Sequence, residues 1–331
     1  ICLFHTMSIT AAREKRPGLF DGHTDIGNVR IAGSVVADTV TQEYRMEGSG
    51  KNIWFDRDEF HFLYKKIKGD FILTARVEFI GPGVEAHRKI GWMARNSLDT
   101  SASHVSAVVH GDGLTSLQYR KTEPGETEEI RSPLAGPAEV QLERRGDRFI
   151  MAVAMPGGPF VTTELTGVTL NEEVFAGLFI CSHNAEVTEQ AVFRNVRITL
   201  PVWEGFVPYR DYIGCNLEIL DVESGLRTLL VQTSQALQAP NWTGDGKRLI
   251  CNADGLLYAW DIEKGSLAKI NTGFADANNN DHVLSFDGRM IGISHHSKDD
   301  EGRSILYTLP AEGSDKPMRI TAQGPSYLHG W

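Results

Sequence analysis

The chain has 331 residues, enough for two domains of ordinary size. Its net charge of −10 at pH 7 argues against a nucleic-acid partner, because phosphate contact needs clustered Lys and Arg. No apolar run approaches the ~18 residues of a membrane span. The four cysteines, Cys2, Cys181, Cys215 and Cys251, have no C-x-x-C spacing, so neither a zinc knuckle nor a disulfide framework is indicated.

Residues 1–17 read as an N-terminal extension. The first methionine is Met7, and the stretch that follows it, MSITAAREKRPGLF, carries charge and no apolar h-region, so it forms no signal peptide. ICLF at residues 1–4 fits the tail of an apolar segment lying upstream. Cytoplasm is the expected compartment, with periplasm and secretion left open.

From residue 18 to 200 the pattern is β. In FILTARVEF, Phe71, Leu73, Ala75, Val77 and Phe79 face one way while Thr74, Arg76 and Glu78 face the other, a strand with one buried face. Similar strands are predicted at Ile90–Arg95, His104–His110, Leu114–Arg120, Val140–Arg144, Phe149–Ala154, Phe175–Cys181 and Val192–Leu200. Turn signals such as Gly69-Asp70, Gly111-Asp112-Gly113 and Gly146-Asp147 separate them. Many short strands with Gly-rich turns predict one antiparallel sandwich or barrel.

The run IWFDRDEFHFLYKKIKGDFILTARVEF, with KIGWMARN, VQLERRGDRF, AGLFICSH and FRNVRITL, resembles a concanavalin A-like jelly roll of the small bacterial type fused to other modules. Glucanases of that fold carry a Glu-x-Asp-x-x-Glu or similar strand. None is present here, so the paired acid and base of glycoside hydrolysis are not carried over. The resemblance leaves a lectin-like role, with Trp92, Arg95, His110 and Tyr119 as candidate sugar contacts; the same four also fit ordinary core or face positions.

Residues 201–213, PVWEGFVPYRDYI, break the alternation with two prolines and several aromatics. This is a domain boundary, packed rather than loose, in which Trp203, Phe206 and Tyr209 are expected to seek burial.

Beyond it, residues 214–331 repeat. APNWTGDGKRLI and DHVLSFDGRMIG place Asp245-Gly246 and Asp287-Gly288 42 residues apart. Each is followed by an apolar strand and then by a matching strand, in GLLYAWDIEKGSLAKI and RSILYTLPAEGSDKPMRI. NLEILDVESGLRTLL supplies an earlier half-unit. A period of about 40–45 residues with four short strands is that of a propeller blade. The pattern W/L-S/T-x-D-G-K/R-x-I, then L-Y-x-x-D/P, resembles the TolB-type, WD-repeat-like propellers. The fold expected is thus all-β: an antiparallel jelly-roll sandwich followed by an incomplete β-propeller. Propellers need about four blades or more to close. The expectation is therefore an N-terminal fragment of a longer protein, cut mid-strand, or else several chains completing one ring.

His282 and His329, 47 residues apart, fall in the same slot of successive repeats, where Pro240 stands in the first. Innermost strands line a propeller's channel, so these histidines are expected to converge at its mouth, flanked by Asn280, Asp281 and Tyr327. Neutral imidazoles there suit a divalent metal or acid–base chemistry. The resemblance extends to oligogalacturonate lyases, which use funnel histidines for metal and catalysis; a base would take the proton alpha to a uronate carboxylate. The other reading is that such polar residues lock one blade to the next. His295 and His296 are expected in a solvated loop.

Three functions follow: binding of a carbohydrate or small polar ligand, metal-dependent lyase chemistry, and a TolB-type protein-interaction scaffold. Whether the chain is an enzyme stays open, and a divalent metal is the one cofactor suggested.

Overall fold

A computed structural model describes residues 17–208 and 210–331. The expected extension, except for its last residue, and Tyr209 lie outside the described residues. Two compact units divide the chain, one ending at Pro201 and one beginning at Val202. Both are built of antiparallel strands, and among the described residues the single helical element is a 3-10 turn at Lys298–Asp300. Among the described residues no helix is long and apolar enough to cross a membrane.

The first unit contains β1 (Gly22–Ile26), β2 (Ser34–Asp38), β3 (Glu43–Gly48), β4 (Phe60–Lys68), β5 (Phe71–Ile80), β6 (Lys89–Arg95) and β7 (His104–His110). There follow β8 (Thr115–Arg120), β9 (Glu128–Arg131), β10 (Glu139–Arg145), β11 (Arg148–Ala154), β12 (Val161–Leu165), β13 (Glu173–Cys181) and β14 (Glu189–Thr199). They form two seven-stranded sheets, ordered β1-β4-β13-β6-β7-β8-β9 and β12-β11-β10-β5-β14-β3-β2. The eight strands predicted above occur within three residues of their expected ends. Alternate residues of both sheets, among them Trp92, Val105, Leu117 and Leu178 facing Leu73, Leu142, Met151 and Phe193, fill one core between them.

β5 has the predicted single buried face, but β6, β7 and β8 are buried on both. Their far face carries a second apolar cluster that includes Phe60, Phe62, Met93, Val108 and Phe179. Beside it sits an ionic node. Asp58 Oδ2 accepts from Arg95 (3.2 Å) and from Arg120 (2.9 Å), and Asp58 Oδ1 accepts from Arg120 (2.7 Å). All three side chains are fully buried. The segment 49–59 folds over this face: Asp58 N–H donates to the Thr100 carbonyl (2.8 Å), and the Trp54 carbonyl accepts from Thr127 (2.9 Å). Charge that alternation alone would send to solvent is therefore covered by a loop and neutralised in place.

The second unit opens with a two-stranded sheet, β15 (Cys215–Leu220) with β16 (Arg227–Thr233). Next come β17 (Gln238–Trp242), β18 (Arg248–Ala253), β19 (Leu256–Asp261) and β20 (Ser266–Ile270), in that spatial order. β21 (Asn278–Leu284), β22 (Met290–Ser297), β23 (Arg303–Pro310) and β24 (Met318–Arg319) repeat the arrangement. These are a half blade and two whole blades of an incomplete propeller. Ile250, Leu257 and Ala259 of one blade pack with Ile291, Ile293 and Tyr307 of the next. The two Asp-Gly turns are built alike: Asp245 accepts from Thr243 and the Lys247 amide, Asp287 from Ser285 and the Arg289 amide. Gly246 and Gly288 take the left-handed φ of 69° and 70° that these turns require.

Trp203 is 52% exposed, against the expectation of burial; its ring meets Phe206 edge-on at 5.0 Å instead. β22 runs through His295 and His296, so these are strand residues and not loop. His295 is buried against Phe274 and Tyr307, and only His296 is exposed.

Candidate functional site

The jelly-roll residues singled out in the sequence separate into three surroundings. Trp92 is completely buried in the inter-sheet core and has no face to offer a sugar. Tyr119 belongs to the same core, with its hydroxyl donating to Glu128 at 3.0 Å. Arg95 is committed to Asp58. These three are corrected to structural positions, because one side of β6 and β8 faces the second sheet and the other lies under the 49–59 loop. His110 alone lines a cavity.

That cavity has a volume of about 230 Å³ and lies at one end of the covered face. Strand pairing builds it. Lys89 of β6 stands opposite His110 of β7. The pairing continues past both strand ends: Gly111 N–H donates to the Arg88 carbonyl and Asp112 N–H to the Ala86 carbonyl, each at 2.9 Å. These two bonds straddle His87. The two turns thereby bring His87 beside Asp112, with His87 Nδ1 3.8 Å from Asp112 Oδ2. Arg88, pointing the other way, is buried against Glu189 and stacks over Phe79 at 4.2 Å, which anchors the loop.

Lys89 organises the floor. Its ammonium donates to Asn52 Oδ1 (2.9 Å), the His87 carbonyl (3.1 Å) and His183 Nδ1 (3.4 Å), and so uses all three of its protons. His183 follows β13 with φ 59°, an uncommon conformation for a non-glycine residue and one that clusters at functional sites. Trp54, half-buried on the covering loop, supplies an aromatic wall. The pair Arg131–Glu129 (2.7 Å) forms the rim on β9.

Electrostatics keep the His110 and His183 imidazoles neutral. Burial, then the Lys89 charge, lower the His110 pKa to about 3. Burial, then Lys89, also lower that of His183. Lys89 itself is lowered by burial, opposed by Cys181 and by the Glu129 and Asp112 carboxylates. One donor atom each from His87, His110 and Asp112 lie within 4.8 Å of one another, a set able to hold a metal ion.

The propeller residues are placed differently. His282 is 5% exposed and its Nε2–H donates to the Ile250 carbonyl of the preceding blade at 3.1 Å. The His282 carbonyl in turn accepts from Asn241 at 3.1 Å. Asp281 and Asn279 bond each other (3.0 Å), Asn280 and His329 are exposed, and Tyr327 is 52% exposed. Among the described residues neither His282 nor His329 joins a cluster of three or more metal-ligating groups. His282 locks two blades together.

Asn52, Trp54, His87, Lys89, Asp112, Glu129, Arg131 and His183 were missed in the sequence. The available signal was local: His110-Gly111-Asp112 at the end of a strand, facing His87-Arg88-Lys89 at the start of the one before it.

No family model matches the sequence. The chain is 40% identical over 117 residues to the "Uncharacterized protein Atu1656" of Agrobacterium fabrum, covering 35% of this chain and 39% of that protein. Among solved structures, the "putative TolB" from Agrobacterium tumefaciens is 40% identical, with a TM-score of 0.33 over 34% of this chain and 40% of that one. The carbohydrate-binding module CBM66 from Bacillus subtilis is 18% identical, with a TM-score of 0.37 over 55% of this chain and 97% of the module. The chain thus spans about two-fifths of the length of the Agrobacterium relatives.

Proposed function

We propose that residues 18–200 form a binding domain for a carbohydrate or other small polar ligand, seated in the cavity between β6, β7, β9 and the 49–59 loop. One observation carries this reading: an aromatic side chain, Trp54, flanks a pocket where three imidazoles and the Arg131–Glu129 pair converge. Apolar stacking with a few placed polar groups is how small-molecule sites fix a ligand. The volume lies below the ~300–1,000 Å³ of drug-sized sites, which favours a single ring at a chain end or branch over an extended polymer. Residues 214–331, joined through 201–213, are read as TolB-like propeller blades in which His282 holds blade to blade.

The test is a microarray of plant and bacterial oligosaccharides probed with the whole chain. Terminal-sugar ligands are expected, with binding reduced at least tenfold by Trp54→Ala and unchanged by His282→Ala. Binding that ignores Trp54→Ala and Arg131→Ala, or no capture across the array, refutes the reading.

A further inference from the structure

The geometry points to a divalent transition-metal site formed by His87, His110 and Asp112, with its remaining coordination positions open to the cavity. Two imidazoles and one carboxylate are a recurrent three-ligand set for zinc and for other first-row ions that keep a position for water or substrate. The site stands on its own coordination chemistry and does not rest on the carbohydrate reading.

Four observations support it. His87 Nδ1 and Asp112 Oδ2 are already 3.8 Å apart. Tetrahedral bonds of about 2.0–2.1 Å place ligand atoms about 3.4 Å from one another, so small side-chain rotations complete the set. The backbone bonds on either side of His87 fix it against the 110–112 turn before any ion arrives, and such pre-organisation lowers the cost of binding. His110 is 95% buried, lines the cavity, and has a ring nitrogen, Nδ1, with no hydrogen-bond partner. A buried polar atom without a partner costs about 1–3 kcal/mol; a metal ion is one partner that removes this cost. Its other nitrogen, Nε2, lies 3.2 Å from the Gln118 amide nitrogen; with that amide turned so that the unpartnered Gln118 Oε1 accepts, Nε2–H donates outward and Nδ1 keeps its lone pair for the ion.

Charge sets the strength. The Lys89 ammonium, held by Asn52, the His87 carbonyl and His183, opposes a dication. Asp112 brings the compensating negative charge, with Glu129 on the rim. Lys89 is thus a positioning residue for His87.

The untagged whole chain, stripped with chelator, is incubated with zinc sulfate, desalted, and its metal content measured, alongside calorimetric titration with the same salt. One zinc per chain is expected. His87→Ala and Asp112→Asn should each weaken binding at least tenfold, and His329→Ala should leave it unchanged. Both ligand residues replaced are exposed, so the melting temperature of each metal-free variant checks that folding is intact. No retained zinc, or zinc retained equally by both variants, overturns the site. The sugar microarray, repeated with chelator, separates the two readings: zinc retention with a blank array leaves this site standing and removes the carbohydrate proposal, and sugar capture without zinc does the reverse.

Discussion

Replacing Asp58 with Asn should test how the covered face is held. The substitution keeps shape and removes the carboxylate that pairs with both Arg95 and Arg120, neither of which has any solvent exposure. Arg120 keeps other acceptors, the carbonyls of Gly125, Ala102 and Phe55. Arg95 is poorer: its Nε and Nη1 have no partner, and its pKa is already lowered to about 10 by burial, despite Asp58. Removing one partner of a buried ion pair costs about 3–5 kcal/mol. For a domain of this size each kcal/mol shifts Tm by about 2–4 °C, so the first unit should melt about 6–20 °C lower. Differential scanning calorimetry of the whole chain resolves that transition, and hydrogen exchange should show residues 49–59 opening first, carrying Trp54 away from the cavity. The variant with Asp58→Leu, Arg95→Met and Arg120→Met together should recover much of the loss, because apolar replacement of a buried ionic group is often neutral or stabilising. An Asp58→Asn transition within about 2 °C of the native one would refute the assignment of this node as what holds the loop down.

His282→Ala should destabilise the second unit by about 1–3 kcal/mol, since the buried Ile250 carbonyl loses its donor; urea unfolding measures the change. Increased amide exchange at the β18–β21 boundary, with zinc content unaltered, is the expected signature. Stability of the first unit should fall as pH drops below about 6.5. Burial first, and the Arg120 and Arg95 charges next, hold His104 well below its ordinary pKa, so the unfolded chain takes up a proton that the folded chain refuses. Each such proton contributes a slope of about 1.4 kcal/mol per pH unit, and His104→Gln should flatten the urea-derived unfolding free energy against pH by that amount.

Much of the architecture was written in the chain order of residues. The alternation in Phe71–Ile80 specifies a strand and its buried side without reference to anything else. The 42-residue spacing of the Asp-Gly turns likewise specifies blades, because each turn fixes its own hairpin through its own aspartate. That His282 stands on the first strand of a blade was legible as well. Its meaning was not, since whether an imidazole faces a channel or a neighbouring carbonyl depends on where the adjacent blade's backbone lies.

The cavity was decided by tertiary structure alone. Its walls come from segments near residues 53, 88, 111, 130 and 183, brought together because β13 pairs with β6 and β6 continues through β7 and β8 to β9. A period of two tells each residue which face it takes, but not which strand will lie beside it or which loop will cover it. Lys89, His104 and Arg120 therefore read as ordinary polar face residues along the sequence, and His110 as a sugar contact or a face residue. All four are buried in the folded chain, and burial lowers the pKa of Lys89, His104 and His110.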